Sequence, residues 1–130
     1  MKRELNTRED ISFLIHTFYG RIRKDEMLGP IFNGMIKNWP EHLERLTDFW
    51  ETNLTLNRTY RGNPPEAHRR VDRYMDYNIS MEHFGQWLQI WFATIDEFFT
   101  GTNAQIAKNR ARTMSTHLFL RMFENRPKLV

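Results

Sequence analysis

From Ile11 onward the apolar residues fall at Ile11, Leu14, Ile15, Phe18, Tyr19 and Ile22, the spacing of a helix buried along one face. Thr7, with Asp10 three residues later, supplies the N-cap. Gly29-Pro30 is expected to end this helix, and Ile31-Phe32 to open a short apolar connection with Phe32 turned inward. A second helix is predicted to start near Pro40 and to run through Leu43, Leu46, Phe49, Trp50 and Leu54, which sets His42, Leu46, Phe49 and Asn53 on one face. Asn57 to Pro65, with Gly62, Pro64 and Pro65, reads as a loop. Glu66 to about Arg73 then reads as a short helix started by the prolines. Ser80 caps a long helix carrying Phe84, Trp87, Leu88, Trp91, Ile95 and Phe98, with Gly101 as its left-handed terminator. Asn103 is expected to cap a last helix bearing Ile106, Ala107, Ala111, Met114, Leu118 and Met122, stopped by Asn125-Arg126-Pro127. No strand pattern or internal repeat competes, so the expectation is an all-α chain forming a single domain over residues 1–130.

Composition sharpens this picture in three ways. Ten Phe and four Trp in 130 residues are a heavy apolar load beside a charged fraction of 27%, enough to bury something large and flat. Cysteine is absent, so disulfides, iron–sulfur clusters and thiolate zinc sites are excluded, and a transition metal must be held by His, carboxylate, Met or Tyr. The net charge of +3 comes from Lys and Arg interspersed with acids, which reads as a solvated mixed surface and not as a nucleic-acid footprint. No apolar run approaches the roughly 20 residues of a membrane span, and no signal-type stretch follows the N-terminus. A soluble cytoplasmic protein is expected.

Phosphate-binding loops, His-Glu-x-x-His and nucleophile elbows are all missing, which makes histidine the informative residue. His68 follows a Pro-Pro helix start in a segment too polar to be there for packing alone. It reads either as a metal ligand or as a surface histidine. His42 looks into whatever its helix face covers, as a core histidine or as a ligand gate. Tyr19 stands at the margin of its stripe, where a phenol buries its ring and keeps a donor, or is simply a half-buried core residue. Trp87 and Trp91 continue an apolar stripe that suits a core as well as a cofactor wall. His83, one turn before Trp87, is the rival of His68 for a metal, while His16 and His117 have no clear task.

Phe18-Tyr19, Leu28-Gly29-Pro30-Ile31-Phe32-Asn33, Glu41-His42 with Phe49-Trp50, Tyr60-Arg61-Gly62-Asn63-Pro64 before His68, Glu82-His83-Phe84-Gly85-Gln86-Trp87-Leu88 and Ala107-Lys108-Asn109-Arg110-Ala111 occur in this order. With these landmarks the chain resembles the third group of the truncated haemoglobin family over nearly its whole length. That group lacks the glycine pairs of other truncated globins, as does this chain.

The resemblance implies a globin-like, truncated two-over-two helical sandwich that holds haem b, iron protoporphyrin IX. It makes His68 the proximal iron ligand, with Tyr19, His42 and Trp87 as the distal polar residues. Phe18, Phe32, Leu46, Phe49 and Trp50 would pack on the porphyrin, and His83 becomes a non-ligand helix residue. Tyr60, Arg69, Arg70 and Arg110 are the candidates for the propionates. Donors aimed at a polarised diatomic ligand favour oxygen over carbon monoxide and slow its release. The expected function is therefore tight oxygen binding for redox chemistry, with peroxidase-like or nitric oxide dioxygenase-like activity. Oxygen transport or storage, haem-based sensing and a haem-free helical interaction module are the alternatives. The expected partners are O2, NO and CO and an unidentified reductase, with no nucleic acid or membrane, in a monomer or a dimer.

Overall fold

The computed structural model describes residues 2–55, 60 and 62–127. Six helices are found among them: α1 (Arg8–Ile22), α2 (Gly29–Met35), α3 (Trp39–Leu54), α4 (Pro64–Tyr74), α5 (Met81–Phe98) and α6 (Thr102–Glu124). Helix α1 packs on α3 and α5, α5 on α6, and α3 on α6. The pairs α1/α3 and α5/α6 thus form a two-over-two sandwich, and α4 is carried on α6. Among the described residues the structure is all-α apart from one small parallel pairing, described below. No helix among the described residues is long and apolar enough to cross a membrane.

Local chemistry starts most helices where the pattern of residues places them. The Thr7 hydroxyl accepts from the Asp10 amide, and the Asn38 and Asn63 side chains accept from the Glu41 and Glu66 amides. Each cap satisfies a backbone donor that the first turn leaves without a partner. Ser80 forms a capping box in which the His83 side chain receives the Ser80 amide. All six stripe residues of α1 are buried. The loop read over Asn57 to Pro65 falls partly outside the described residues, as do Arg61 and residues 56–59.

Three expectations are corrected. Gly29-Pro30 does not end α1, which stops at Ile22; it begins α2, with Pro at a first-turn position that lacks a hydrogen-bond acceptor anyway. Gly29 is required there because a Cβ would lie 2.7 Å from the Arg23 carbonyl oxygen. Helix α5 ends at Phe98, before Gly101, and Phe99–Thr100 pairs in parallel with Arg3–Glu4 in a two-stranded sheet. Gly101, at φ +96°, is the N-cap of α6. Asn103 therefore sits inside the first turn of α6, and its amide donates to the Leu5 carbonyl at 2.9 Å, tying down the N-terminal segment.

The core is divided. The larger cluster joins α1, α3, α5 and the start of α6 around Phe18, Tyr19, Trp50 and Trp91. A smaller one gathers Ile31, Ile79, Phe84 and Met122, with Val71 of α4 and Met75, just past its end, packed against it. Helix α5 spans both, with Phe84 in the smaller cluster and Trp91 in the larger.

Candidate haem site

His68 sits on the second turn of α4, the helix that belongs to the smaller cluster. Its Nδ1 lies 2.7 Å from the Pro64 carbonyl oxygen. A carbonyl can only accept, so Nδ1 carries the proton and the Nε2 lone pair is left available. Nε2 makes no hydrogen bond to any described residue. Burial pushes the imidazole below the usual histidine range, opposed by the Pro64 bond, and so favours the neutral ring. The ring lies nearly parallel to Phe84, with centroids 6.2 Å apart and planes 22° from parallel.

Phe84, Trp87 and Trp91 follow one another along one face of α5. One turn beyond Phe84, the Trp87 ring meets Phe18 edge-on at 4.9 Å and stacks on Trp91 at 5.3 Å. The Trp87 indole also lies toward the Tyr19 hydroxyl. An indole N–H only donates, so toward it the Tyr19 oxygen can only accept, and the phenol proton is left for another partner. No described residue takes that proton. Burial pushes the Tyr19 phenol far above its ordinary range, with Trp87 acting against it, so the hydroxyl stays protonated. His42 stands edge-on to Tyr19 with centroids 6.2 Å apart; burial, then the charge of Arg45, keeps it below the usual histidine range. Tyr19, His42 and Trp87 therefore converge from three different helices, and α5 sets His68 one turn away along its Phe84–Trp87 face.

The residues expected to pack against a porphyrin divide into two sets. Phe18 and Trp50 are fully enclosed and pack on Trp91, so their surface is already used in the core. Phe32, Leu46 and Phe49 are half-buried against the larger cluster and keep apolar surface to offer. Tyr60 packs edge-on against Phe49, and Arg110 donates to Asn53 at 3.1 Å, so both lie at the far end of the His42–Leu46–Phe49–Asn53 face. Arg69 is paired with Glu66 at 2.9 Å, and Arg70 is exposed. His83 receives the Ser80 amide through Nδ1 at 3.0 Å, which gives this rival a structural task. His16 is exposed, its Nδ1 2.8 Å from the Ser12 carbonyl oxygen, and His117 is exposed.

Trp39 was absent from the residues singled out by pattern. It stands 5.6 Å from His42 and 6.2 Å from Tyr19, centroid to centroid. Its position three residues before His42 on a helix was the available signal, hidden by its place at the helix start beside Pro40.

The donor set fits a flat metal-bearing ring with one axial ligand: a neutral imidazole held by its second nitrogen, half-buried apolar faces on α2 and α3, and an uncommitted phenol proton. No protein-family model matches the chain. It is 29% identical over 121 residues to the group 3 truncated haemoglobin ctb of Campylobacter jejuni, covering 90% of this chain and 91% of that protein. The crystal structure of the group III truncated haemoglobin from Campylobacter jejuni superposes with a TM-score of 0.84 at 26% identity, over 98% of this chain and 100% of that one. In sequence and in fold the chain is thus similar, over nearly its whole length, to group 3 truncated haemoglobin. Its two-over-two sandwich is accordingly a globin fold, in which α4 is the helix that bears His68.

Proposed function

We propose that the chain binds haem b through His68 and holds oxygen tightly beneath Tyr19, with Trp87 and His42 in support, for redox chemistry on nitric oxide or peroxide. The observation that carries this reading is the His68 ring, whose Nδ1–H is spent on Pro64 while Nε2 is free. A carbonyl partner of that kind fixes tautomer and orientation in metal-binding histidines and raises the basicity of the donor nitrogen. Haem bound there supplies a reduced iron atom that takes up diatomic gases and changes oxidation state.

The distal residues then act as donors. Tyr19 keeps its proton for the ligand, and the Trp87 N–H, when it donates to that oxygen, polarises the hydroxyl and strengthens the phenol as a donor. A hydrogen bond to a partner bearing partial charge contributes about 1.5–3 kcal/mol, roughly tenfold or more in affinity. Slow release of oxygen suits oxidation of nitric oxide or reduction of peroxide better than delivery, with His42 placed to pass a proton or to gate entry. This chemistry needs a reductase that returns the iron to its reduced form. Tyr60, Arg69, Arg70 and Arg110 remain the propionate candidates, and the reading assigns the protein to the cytoplasm.

Stopped-flow release of oxygen from the reduced haem protein tests the reading. Tyr19→Phe is expected to release oxygen about tenfold faster or more. Fast release by the wild type, unchanged in Tyr19→Phe, would favour transport, storage or sensing. A chain that takes up no haem would be an interaction module.

A further inference from the structure

Trp39 has no part in the roles assigned so far, yet this half-buried ring meets Tyr19, His42 and Arg23 together. Its inner edge faces Tyr19 and His42. Over its ring lies the Arg23 guanidinium, 4.4 Å from the centroid. Arg23 is itself held from two directions: its Nε donates to Asn33 Oδ1 at 2.9 Å, and Asn33 Nδ2 donates back to the Arg23 carbonyl at 3.1 Å. The end of α1, the middle of α2 and the first turn of α3 are thereby joined through one indole.

His42 makes no side-chain hydrogen bond to any described residue, so its orientation is set by ring contacts, edge-on at 87° to both Trp39 and Tyr19. Tyr19 is 4% exposed, whereas Trp39, His42 and Phe32 are half-buried around it. These three rings therefore line the half-buried side of the Tyr19 ring. A guanidinium whose Nε is committed to Asn33 presents a fixed plane to the indole, which a freely rotating cation would not do.

We propose that the Arg23–Trp39 stack is a latch: Trp39 is a positioning residue that holds the His42 ring across the entrance to Tyr19, and Asn33 sets the latch by orienting Arg23. The proposal rests on the haem reading above. A small uncharged ligand would enter when Trp39 swings from under Arg23 and His42 follows it.

The test uses the full chain labelled with 5-fluorotryptophan, with the Trp39 resonance assigned by its loss in Trp39→Phe. Arg23→Met is expected to shift and broaden the Trp39 fluorine signal while those of Trp50 and Trp91 stay in place. In the haem-loaded protein, carbon monoxide re-entry after flash photolysis is expected to rise about two- to fivefold in Arg23→Met, the scale of a half-exposed cation–π contact. Asn33→Ala should move both readouts in the same direction. An unmoved Trp39 signal, or a moved signal with wild-type re-entry, overturns the latch. If the chain takes up no haem, the functional reading fails and the entrance role with it, while the fluorine signal still decides whether Arg23 holds the indole.

Discussion

The two sides of the site are held by opposite means. The Tyr19 side is built of rings: Phe18, Tyr19, Trp39, His42, Trp87 and Trp91 touch one another in edge-on and stacked pairs from α1, α3 and α5. The His68 side has few such contacts and is secured by caps and charge. Asp72, one turn after His68 and 1% exposed, receives Arg126 Nε at 2.8 Å and a second guanidinium nitrogen at 3.0 Å; Arg126 also donates to the Ile79 carbonyl. Aromatic packing tolerates small displacements, because dispersion is spread over many atoms. A buried ion pair does not, since losing one partner strands the other charge. The His68 helix should thus depend on a few residues, and the Tyr19 side on many.

The largest effect is expected at His68. His68→Ala should abolish the Soret band after reconstitution with haemin, whereas His83→Ala should keep it; the same loss in both variants would contradict the assignment of roles. Next comes Arg126→Met, which leaves Asp72 buried without its cation. About 3 kcal/mol of stability should be lost, read as a lowered urea midpoint, and amide exchange in α4 should rise more than in α1. Equal acceleration in both helices would break the contrast between the two sides. Ser80→Ala removes the capping oxygen of α5 and should cost about 1 kcal/mol, measurable in the same titration.

The gentlest effect is expected from pH. His42 and His68 both lie below the ordinary histidine range in the folded chain because of burial, so the unfolded chain binds protons more readily. Stability of the haem-free protein should be fully present above about pH 6.5, the ordinary histidine value, and fall as pH drops through the folded-state values. His42→Phe should flatten part of that decline in urea midpoints taken between pH 7.5 and 5. An undiminished slope would place the titrating group elsewhere.

Much of this was legible in the chain. The stripe from Ile11 to Ile22, the Thr7 and Ser80 caps and the helix after Pro64-Pro65 follow from local rules, because a cap or a 3.6-residue repeat acts within one or two turns. The candidate site was visible mainly through resemblance: His68 by pattern alone read as well as a surface histidine. Its proton arrangement, with Nδ1 tied to Pro64, became definite only with the backbone in place. Likewise the nearness of Trp87 to the Tyr19 hydroxyl, which opposes the rise of the phenol, joins α1 to α5 and could be read from neither stretch alone.

By itself, then, the sequence determined the all-α character, the faces of α1, α3 and α5 and the absence of thiol chemistry, since these depend on residue type and short-range period. Only the tertiary structure decided that Gly29-Pro30 opens a helix, that Asn103 anchors Leu5 from 98 residues away, that Arg126 reaches back to Asp72 and that Arg23 lies over Trp39. Each of these joins residues from separate elements. A contact between elements depends on how two faces dock, and neither face encodes the other.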